Sequence, residues 1–211
     1  DHRVIEQVST RRLRIVKYRG STHGTNEYPF LIDEEGISVL PITSLKLDNE
    51  VSSDVVSTGV PGLNDMFDGG GFFRGSNILI SGTAGTAKTT VACYFANEQC
   101  EKNEKTIYFA FEESPQQLVR NMRSIGIDLQ KHIKKGTLQI HSSRPSLNGL
   151  ELHLLTLRKL IKEFQPTTII IDPISNLITV GSEHEVRSML VRLIDMLKAH
   201  NITALFTSLN K

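Results

Sequence analysis

Lys88 closes a run of small residues, Gly82-Thr83-Ala84-Gly85-Thr86-Ala87-Lys88-Thr89-Thr90, that follows an apolar stretch from Asn77 to Ser81 and opens a helical pattern at Val91 to Glu98. A strand, a small-residue loop and a helix in that order make a phosphate cradle. Small side chains let successive main-chain N–H groups point at an anion, and the following helix adds the positive end of its dipole. In such a loop Lys88 reaches the β- and γ-phosphates of a nucleoside triphosphate, and the Thr89 hydroxyl holds Mg²⁺. The usual second glycine before the lysine is here Ala87, whose methyl group intrudes slightly on a crowded loop. The competing explanation is a glycine-rich turn that binds nothing, and the acids further along the chain weigh against it.

Two groups of acids follow. The predicted strand Thr106 to Phe111 ends in Glu112-Glu113, at the end of a sheet where open α/β folds bind ligands. Adjacent carboxylates there can divide the work: one polarises a water or hydroxyl, and the other tunes it or helps to place a metal. The plainer alternative is an acidic helix start ahead of Pro115 and a helix from Gln116 to Ser124. Thr168-Ile169-Ile170-Ile171-Asp172 is an apolar strand closed by an acid, the pattern in which the aspartate meets Mg²⁺ through water. A helix cap before Pro173 and Ser175 is the alternative at Asp172. Its place after the loop and after one intervening acid pair favours the metal role, so Thr89, Glu112 and Asp172 are the candidate metal ligands, with Glu112 and Glu113 the candidate catalytic pair.

Positioning these groups requires an alternation of strands and helices. From about Asn77 onward, short β-branched runs at Asn77 to Ser81, Thr106 to Phe111, Thr137 to His141, Thr168 to Asp172 and Thr203 to Ser208 alternate with longer helical patterns. The expected fold class is therefore α/β, a mainly parallel sheet with helices on both faces. Leu150, Leu154, Leu157, Ile161 and Phe164 form one core stripe, and Val186, Met189, Leu190, Leu193, Ile194 and Leu197 another. The first fifty residues differ: an arginine-rich stretch and a Gly-Ser-Thr-His turn precede alternating segments at Tyr28 to Ile32 and Gly36 to Leu40, which read as hairpin strands. Polar residues from Lys46 to Ser57 read as a linker, and no internal repeat is visible.

Composition excludes several classes. The 211 residues are 39% hydrophobic and 22% charged, and the 15 Gly and 7 Pro are not bunched, so disorder and fibrous folds drop out. A net charge of +1 supplies no global field toward nucleic acid or anionic membrane. No apolar run approaches the ~20 residues of a membrane span, and Asp1-His2-Arg3 does not read as a signal peptide. Cys93 and Cys100 fall within one predicted helix and read as buried free thiols in a reducing compartment. A cytoplasmic protein is the expectation.

The chain resembles the KaiC family of circadian clock ATPases and autokinases, within the RecA-like P-loop superfamily. The likeness is carried by Ser57-Thr58-Gly59-Val60-Pro61-Gly62-Leu63, Gly69-Gly70-Gly71-Phe72-Phe73, the phosphate loop, Phe109-Ala110-Phe111-Glu112-Glu113-Ser114 and Leu205-Phe206-Thr207. It implies a RecA-like core, ATP and Mg²⁺ as ligands, ATPase and Ser/Thr autokinase activity, a homo-oligomeric ring of six subunits with ATP between them, and clock or signalling proteins as partners. It also implies an organisation: residues 1–45 as the C-terminal part of a first RecA-like domain, 46–57 as the linker, and 58–211 as a second domain lacking its C-terminal part, with the family's phosphorylated Ser and Thr beyond Lys211. Under the same resemblance Lys17-Tyr18-Arg19 matches a motif whose cations reach the γ-phosphate held by a neighbouring subunit, with Ser21 and His23 near that nucleotide. Ile125 stands where the family's second domain has an aromatic residue near adenine, which reduces base stacking to aliphatic contact. Read without the resemblance, Arg11, Arg12, Arg14, Lys17 and Arg19 are a solvated basic face.

Two other functions share these motifs. A RecA/RadA-type DNA-dependent ATPase has the same core, but the near-zero charge and the lack of an evident DNA-binding module speak against nucleic acid as a partner. A nucleotide-gated scaffold without turnover is made conceivable by Ala87.

Overall fold

Thr106–Ala110 and Thr168–Asp172 are buried at every position, which suits strands of a parallel sheet covered on both faces. The computed structural model describes residues 2–5, 8–21, 27–33, 36–39, 52–68, 70–144 and 149–210, with the backbone alone at 2–5, 8–10, 29, 31, 33 and 38. In it the strands β7 (Asn77–Gly82), β8 (Thr106–Ala110), β9 (Leu138–Ser142), β10 (Thr168–Asp172) and β11 (Thr203–Leu209) form one sheet in the order β7-β11-β10-β8-β9. Every pairing is parallel. The strand bearing the phosphate loop is thus separated by β11 from the strand ending in Asp172. All five strands coincide with those expected from sequence to within about two residues.

Alternation along the central strands divides the core in two. Tyr108, Ala110, Ile170 and Leu205 face one layer, where helix α2 (Lys88–Glu101) buries Ala92, Cys93, Phe95, Ala96 and Cys100, joined by α3 (Pro115–Arg123) and α4 (Leu129–Lys135). Ile107, Phe109, Ile169, Ile171, Ala204 and Phe206 face the other, covered by α5 (Leu150–Phe164) and α6 (Glu183–Ala199). The stripes Leu150-Leu154-Leu157-Ile161 and Val186-Met189-Leu193-Leu197 are buried there as the helical spacing requires. Capping boxes start α3 at Ser114 and Gln117 and α6 at Ser182 and Glu185, so their first amides find acceptors. Both Cys93 and Cys100 are free and buried on α2, as expected.

The segment before the phosphate-loop strand clamps α2 from outside. Asn64, the last residue of the short helix α1 (Pro61–Asn64), accepts through Oδ1 from the Thr58 amide and hydroxyl at 2.9 and 2.7 Å, closing a tight turn. Gln99 of α2 donates to the Ser57 carbonyl at 2.8 Å. Gly59 lies between them with φ +77°, where a Cβ would stand 2.5 Å from the Tyr94 carbonyl oxygen of α2, so only glycine permits this approach. At the end of the expected linker, β5 (Val55–Val56) pairs antiparallel with β6 (Phe72–Phe73), and Phe72 meets Phe95 of α2 edge-on at 5.6 Å between ring centroids. Residues 46–51 of that linker lie outside the described residues.

The N-terminal strands β1 (His2–Ile5), β2 (Val8–Arg14), β3 (Glu27–Asp33) and β4 (Gly36–Val39) make a separate antiparallel sheet in sequence order. The hairpin expected at 28–40 is present as β3 and β4, and the arginine-rich stretch also contributes a strand. This sheet meets the helical layer through polar contacts: Arg12 approaches Glu185 of α6 at 3.6 Å, and Arg158 of α5 donates to the Val39 carbonyl at 3.2 Å.

Two histidines give the fold a pH dependence. Burial lowers the proton affinity of His132, against the opposing pull of Glu101 and with Lys131, Lys135 and Asp128 nearby, and burial lowers that of His141. His132 offers its Nε2 to Asn97 Oδ1 at 3.0 Å, and His141 stacks on Phe109. Because the folded chain holds these protons less tightly than the unfolded one, stability is whole above about pH 7 and is lost as the pH falls through about 6.5. Urea unfolding midpoints are expected to drop between pH 7.5 and 5.5, and to drop less in His132→Gln; an equal drop in parent and variant assigns the dependence elsewhere.

Candidate functional site

The phosphate loop occupies the turn from the end of β7 into α2. Ala87 is the residue before the helix, and its backbone is left-handed, with φ 60° and ψ 22°. Only glycine enters this region without cost, and an alanine there costs about 1–2 kcal/mol. The departure from the usual glycine is therefore a local strain. Gly85 is also left-handed, with φ +79°, and a Cβ added there meets nothing within 4 Å.

Lys88 is nearly buried and folds back over its own loop. Its ammonium donates to the carbonyls of Gly82 at 2.9 Å and Thr83 at 2.6 Å, and lies 3.4 Å from the Thr86 hydroxyl. The Thr86 hydroxyl in turn donates to Thr83 O at 2.9 Å. The loop carbonyls are thus gathered around the cation. Among the hydrogen bonds of the described residues, none is donated by the main-chain amides of residues 84–90. An ammonium beside a row of uncommitted amides at the start of a fourteen-residue helix suits a polyphosphate anion. Residues 82–90 fit that ligand together, since Thr89 and Thr90 form the first turn of α2 beside Lys88.

Asp172 lies at the carboxyl end of β10 and is 8% exposed. The Tyr108 hydroxyl of β8 donates to its Oδ2 at 2.6 Å, and the Thr207 hydroxyl of β11 donates to its Oδ1. Strand pairing makes this possible: Asp172 is in register with Ala110, and Ile171 with Phe206, so β8 and β11 flank the carboxylate. It does not cap a helix, because the 3₁₀ turn Ile174–Val180 follows Pro173 and receives no side-chain cap. A carboxylate has about four lone-pair positions, so Asp172 keeps acceptor capacity for a metal-bound water. No group of three or more His, Cys, Asp or Glu side chains is placed to hold an ion among the described residues. One carboxylate with a threonine hydroxyl instead fits Mg²⁺, which takes its remaining ligands from phosphate and water.

Glu112 and Glu113 follow β8 and diverge. Glu112 is exposed and accepts from the Asn176 amide at 3.0 Å, in the turn just after Asp172. Glu113 is half-buried and accepts from Asn121 of α3 at 3.0 Å, whose Oδ1 is held by Arg120. Neither carboxylate belongs to α3, whose cap is Ser114. The Phe111 amide donates to the Asp172 carbonyl at 2.8 Å, tying the acid pair to the end of β10.

Lys17, Tyr18, Arg19 and Ser21 are exposed in the irregular segment after β2, and no hydrogen bond or ion pair joins them to residues 82–90 among the described residues. His23 lies outside the described residues. Ile125 is 46% exposed, in the turn that ends α3. Sequence reasoning missed the roles of Tyr108, Thr207, Asn176 and Asn121 as partners of the acids. Tyr108 had one available signal, a phenolic hydroxyl between Ile107 and Phe109 in a strand buried at every position.

The geometry yields a two-part expectation at the loop. Lys88→Ala removes the ammonium that gathers the loop, and ATP binding, measured by calorimetry, is expected to vanish. Ala87→Gly relieves the left-handed strain: the unfolding free energy is expected to rise by about 0.5–1 kcal/mol, with ATP bound equally well or more tightly. A large loss of affinity in Ala87→Gly runs against the strain account.

Comparisons with known proteins agree in one family. The family model described as "ATPase: KaiC" matches residues 1–44 and 56–211. The chain is 49% identical over 209 residues to the circadian clock protein KaiC2 of Synechocystis, an alignment covering 99% of this chain and 37% of that protein. It is 39% identical to the circadian clock oscillator protein KaiC of Acaryochloris marina and 38% identical to that of Synechococcus elongatus, each over 198 residues that make up 94% of this chain and 38% of the relative. The chain therefore spans less than two-fifths of the length of these relatives. With a phosphate loop opening α2, an acid closing β10 and this match along nearly all of its length, the chain belongs to the KaiC ATPase family.

Proposed function

We propose that this chain binds Mg-ATP at residues 82–90 and hydrolyses it, and that in the full-length protein it also transfers the γ-phosphate to Ser or Thr hydroxyls of its own ring. The observation that carries the proposal is the arrangement of Lys88 and the free amides at the start of α2, on a sheet whose β10 ends in an acid and whose β8 is followed by two. Lys88 exchanges the loop carbonyls for the β- and γ-phosphates, and the amides of residues 84–90 hold the phosphate oxygens. Thr89 and Asp172 hold Mg²⁺, which supplies charge neutralisation when bound. Glu112 is the general base. Its neighbour Asn176 sits four residues beyond Asp172, which supports Glu112 over Glu113 for that role; Glu113 faces α3 and anchors the segment. Ile125 contacts the adenine base.

The division into 1–45, 46–57 and 58–211 belongs to the same proposal. Leu13, Ile32 and Ile37 are 45%, 59% and 68% exposed, and register places all three on one face of the N-terminal sheet, since Leu13 pairs with Tyr28 and Ile32 with Ile37. An apolar sheet face of that kind needs a further layer, which the body of a first domain would supply. Lys17 and Arg19, with Tyr18, Ser21 and His23, then serve a nucleotide held by another subunit of a hexameric ring, which in turn engages clock or signalling proteins. A cytoplasmic setting suits the two free thiols. No described helix is long and apolar enough to cross a membrane.

Glu112→Gln is expected to leave nucleotide affinity nearly unchanged while turnover falls at least ~10²-fold. Steady-state ADP release from the full-length protein measures it, and parental turnover in both Glu112→Gln and Glu113→Gln would remove the acid pair from the chemistry. Phosphate found on Ser or Thr by mass spectrometry after incubation with Mg-ATP tests the kinase.

Lys17→Ala with Arg19→Ala is expected to weaken ATP-dependent ring assembly, each lost charge-assisted contact costing about 1.5–3 kcal/mol. Mixed with a variant lacking the lysine of the first domain's phosphate loop, the double variant is expected to regain part of the lost activity, because some interfaces then pair an intact loop with intact cations. No recovery in rings shown to be mixed returns Lys17 and Arg19 to a solvated basic face.

A further inference from the structure

Beneath the acid at the end of β10 runs a chain of buried polar groups from three elements. Tyr108 is fully buried and its hydroxyl lies 2.6 Å from Asp172 Oδ2. An ionised carboxylate can only accept, so the phenolic proton is committed to Asp172. On the other side Thr207 donates to Oδ1. Both carboxylate oxygens are therefore fixed by buried hydroxyls.

The pattern is costly unless it is used. Tyr108 lies in the middle of a wholly buried strand, in the apolar layer that also holds Cys93, Ala110, Leu118 and Ile170, where phenylalanine would fill the same space with no polar group to satisfy. The hydroxyl's hydrogen-bond partner is the carboxylate. Held from both sides, the carboxylate has its free lone pairs left in one fixed orientation, which is what ordering a metal-bound water requires.

We propose that Tyr108, together with Thr207, is a positioning residue for Asp172: the two buried hydroxyls hold the carboxylate so that its remaining lone pairs face a metal-bound water. This role rests on Asp172 being the metal-ordering acid of the function proposed above.

The test uses the full-length protein and a fluorescent ATP analogue, titrated with EDTA present and over a series of Mg²⁺ concentrations. In the parent, Mg²⁺ tightens binding. Tyr108→Phe keeps the ring in the core, so binding with EDTA is expected to be unchanged, whereas the Mg²⁺ concentration giving half of the tightening rises about tenfold. A purely structural tyrosine would lower the unfolding midpoint and leave that concentration where it was, and this result overturns the proposal. Should Tyr108→Phe not fold, Thr207→Val and Thr207→Ser decide the matter. The valine variant is expected to raise the half-point two- to threefold and the serine variant, which keeps the hydroxyl, to leave it at the parental value. Equal half-points in the two variants overturn the positioning of Asp172 by buried hydroxyls. Absence of any Mg²⁺ effect in the parent would instead remove the Mg-ATP function and this inference together, whereas a parental effect left intact in Tyr108→Phe removes the inference alone.

Discussion

The pairing of β10 with β8 on one side and β11 on the other is the constraint from which the site follows. Parallel, in-register strands bring their carboxyl ends to one rim. Asp172 is therefore level with Ala110, next to the acid pair that follows β8, and beside the hydroxyl of Thr207 near the end of β11. Were either register slipped by one residue, Asp172 would turn into an apolar layer and its carboxylate would lose both hydroxyl partners. The apolar residues of β8 and β10 prevent that slip, because each must face the helices that bury it.

The second requirement is that α2 stay seated on this sheet. Its buried face is small at Ala92, Cys93 and Ala96 and large at Phe95, so the helix comes close to the strands while one aromatic ring fills the remaining space. Segment 55–73 closes over its outer side through β5 and β6, the Ser57-Thr58-Asn64 turn and Gly59. The signature that precedes the phosphate loop in sequence is thus a clamp on the helix that follows the loop. A clamp of this kind also allows Ala87 its left-handed backbone, since α2 holds the residue from one side and β7 holds the loop from the other.

In the proposed function, turnover and binding make different demands on this rim. Binding there uses the amides and Lys88, which belong to one continuous stretch of chain. The proposed chemistry uses Glu112, just after β8, and Asp172, at the end of β10, which are held by Asn176, Tyr108 and Thr207. Family membership covers nearly the whole chain but under two-fifths of its relatives' length. The assembly in which these groups work is therefore reached by proposal, from the exposed cations at Lys17 and Arg19 and the exposed apolar face of the N-terminal sheet.

The sequence by itself determined what local spacing controls. Strand–loop–helix around Lys88, the five strands, the stripes of α5 and α6 and the acids at strand ends all follow from periodicity and composition within short windows. Such signals are physical because each element must bury a face. What lies between elements was not readable. That Glu112 turns to Asn176 and Glu113 to Asn121 depends on contacts between segments 64 and 8 residues apart, and adjacent carboxylates look alike in a string. The left-handed backbone of Ala87 required the loop's geometry, since alanine carries no preference for it. Tyr108 reads as one more core aromatic, and only β8 and β10 paired in register make it a partner of Asp172, because a hydrogen bond needs two particular atoms within about 3 Å and local sequence constrains neither their distance nor their direction.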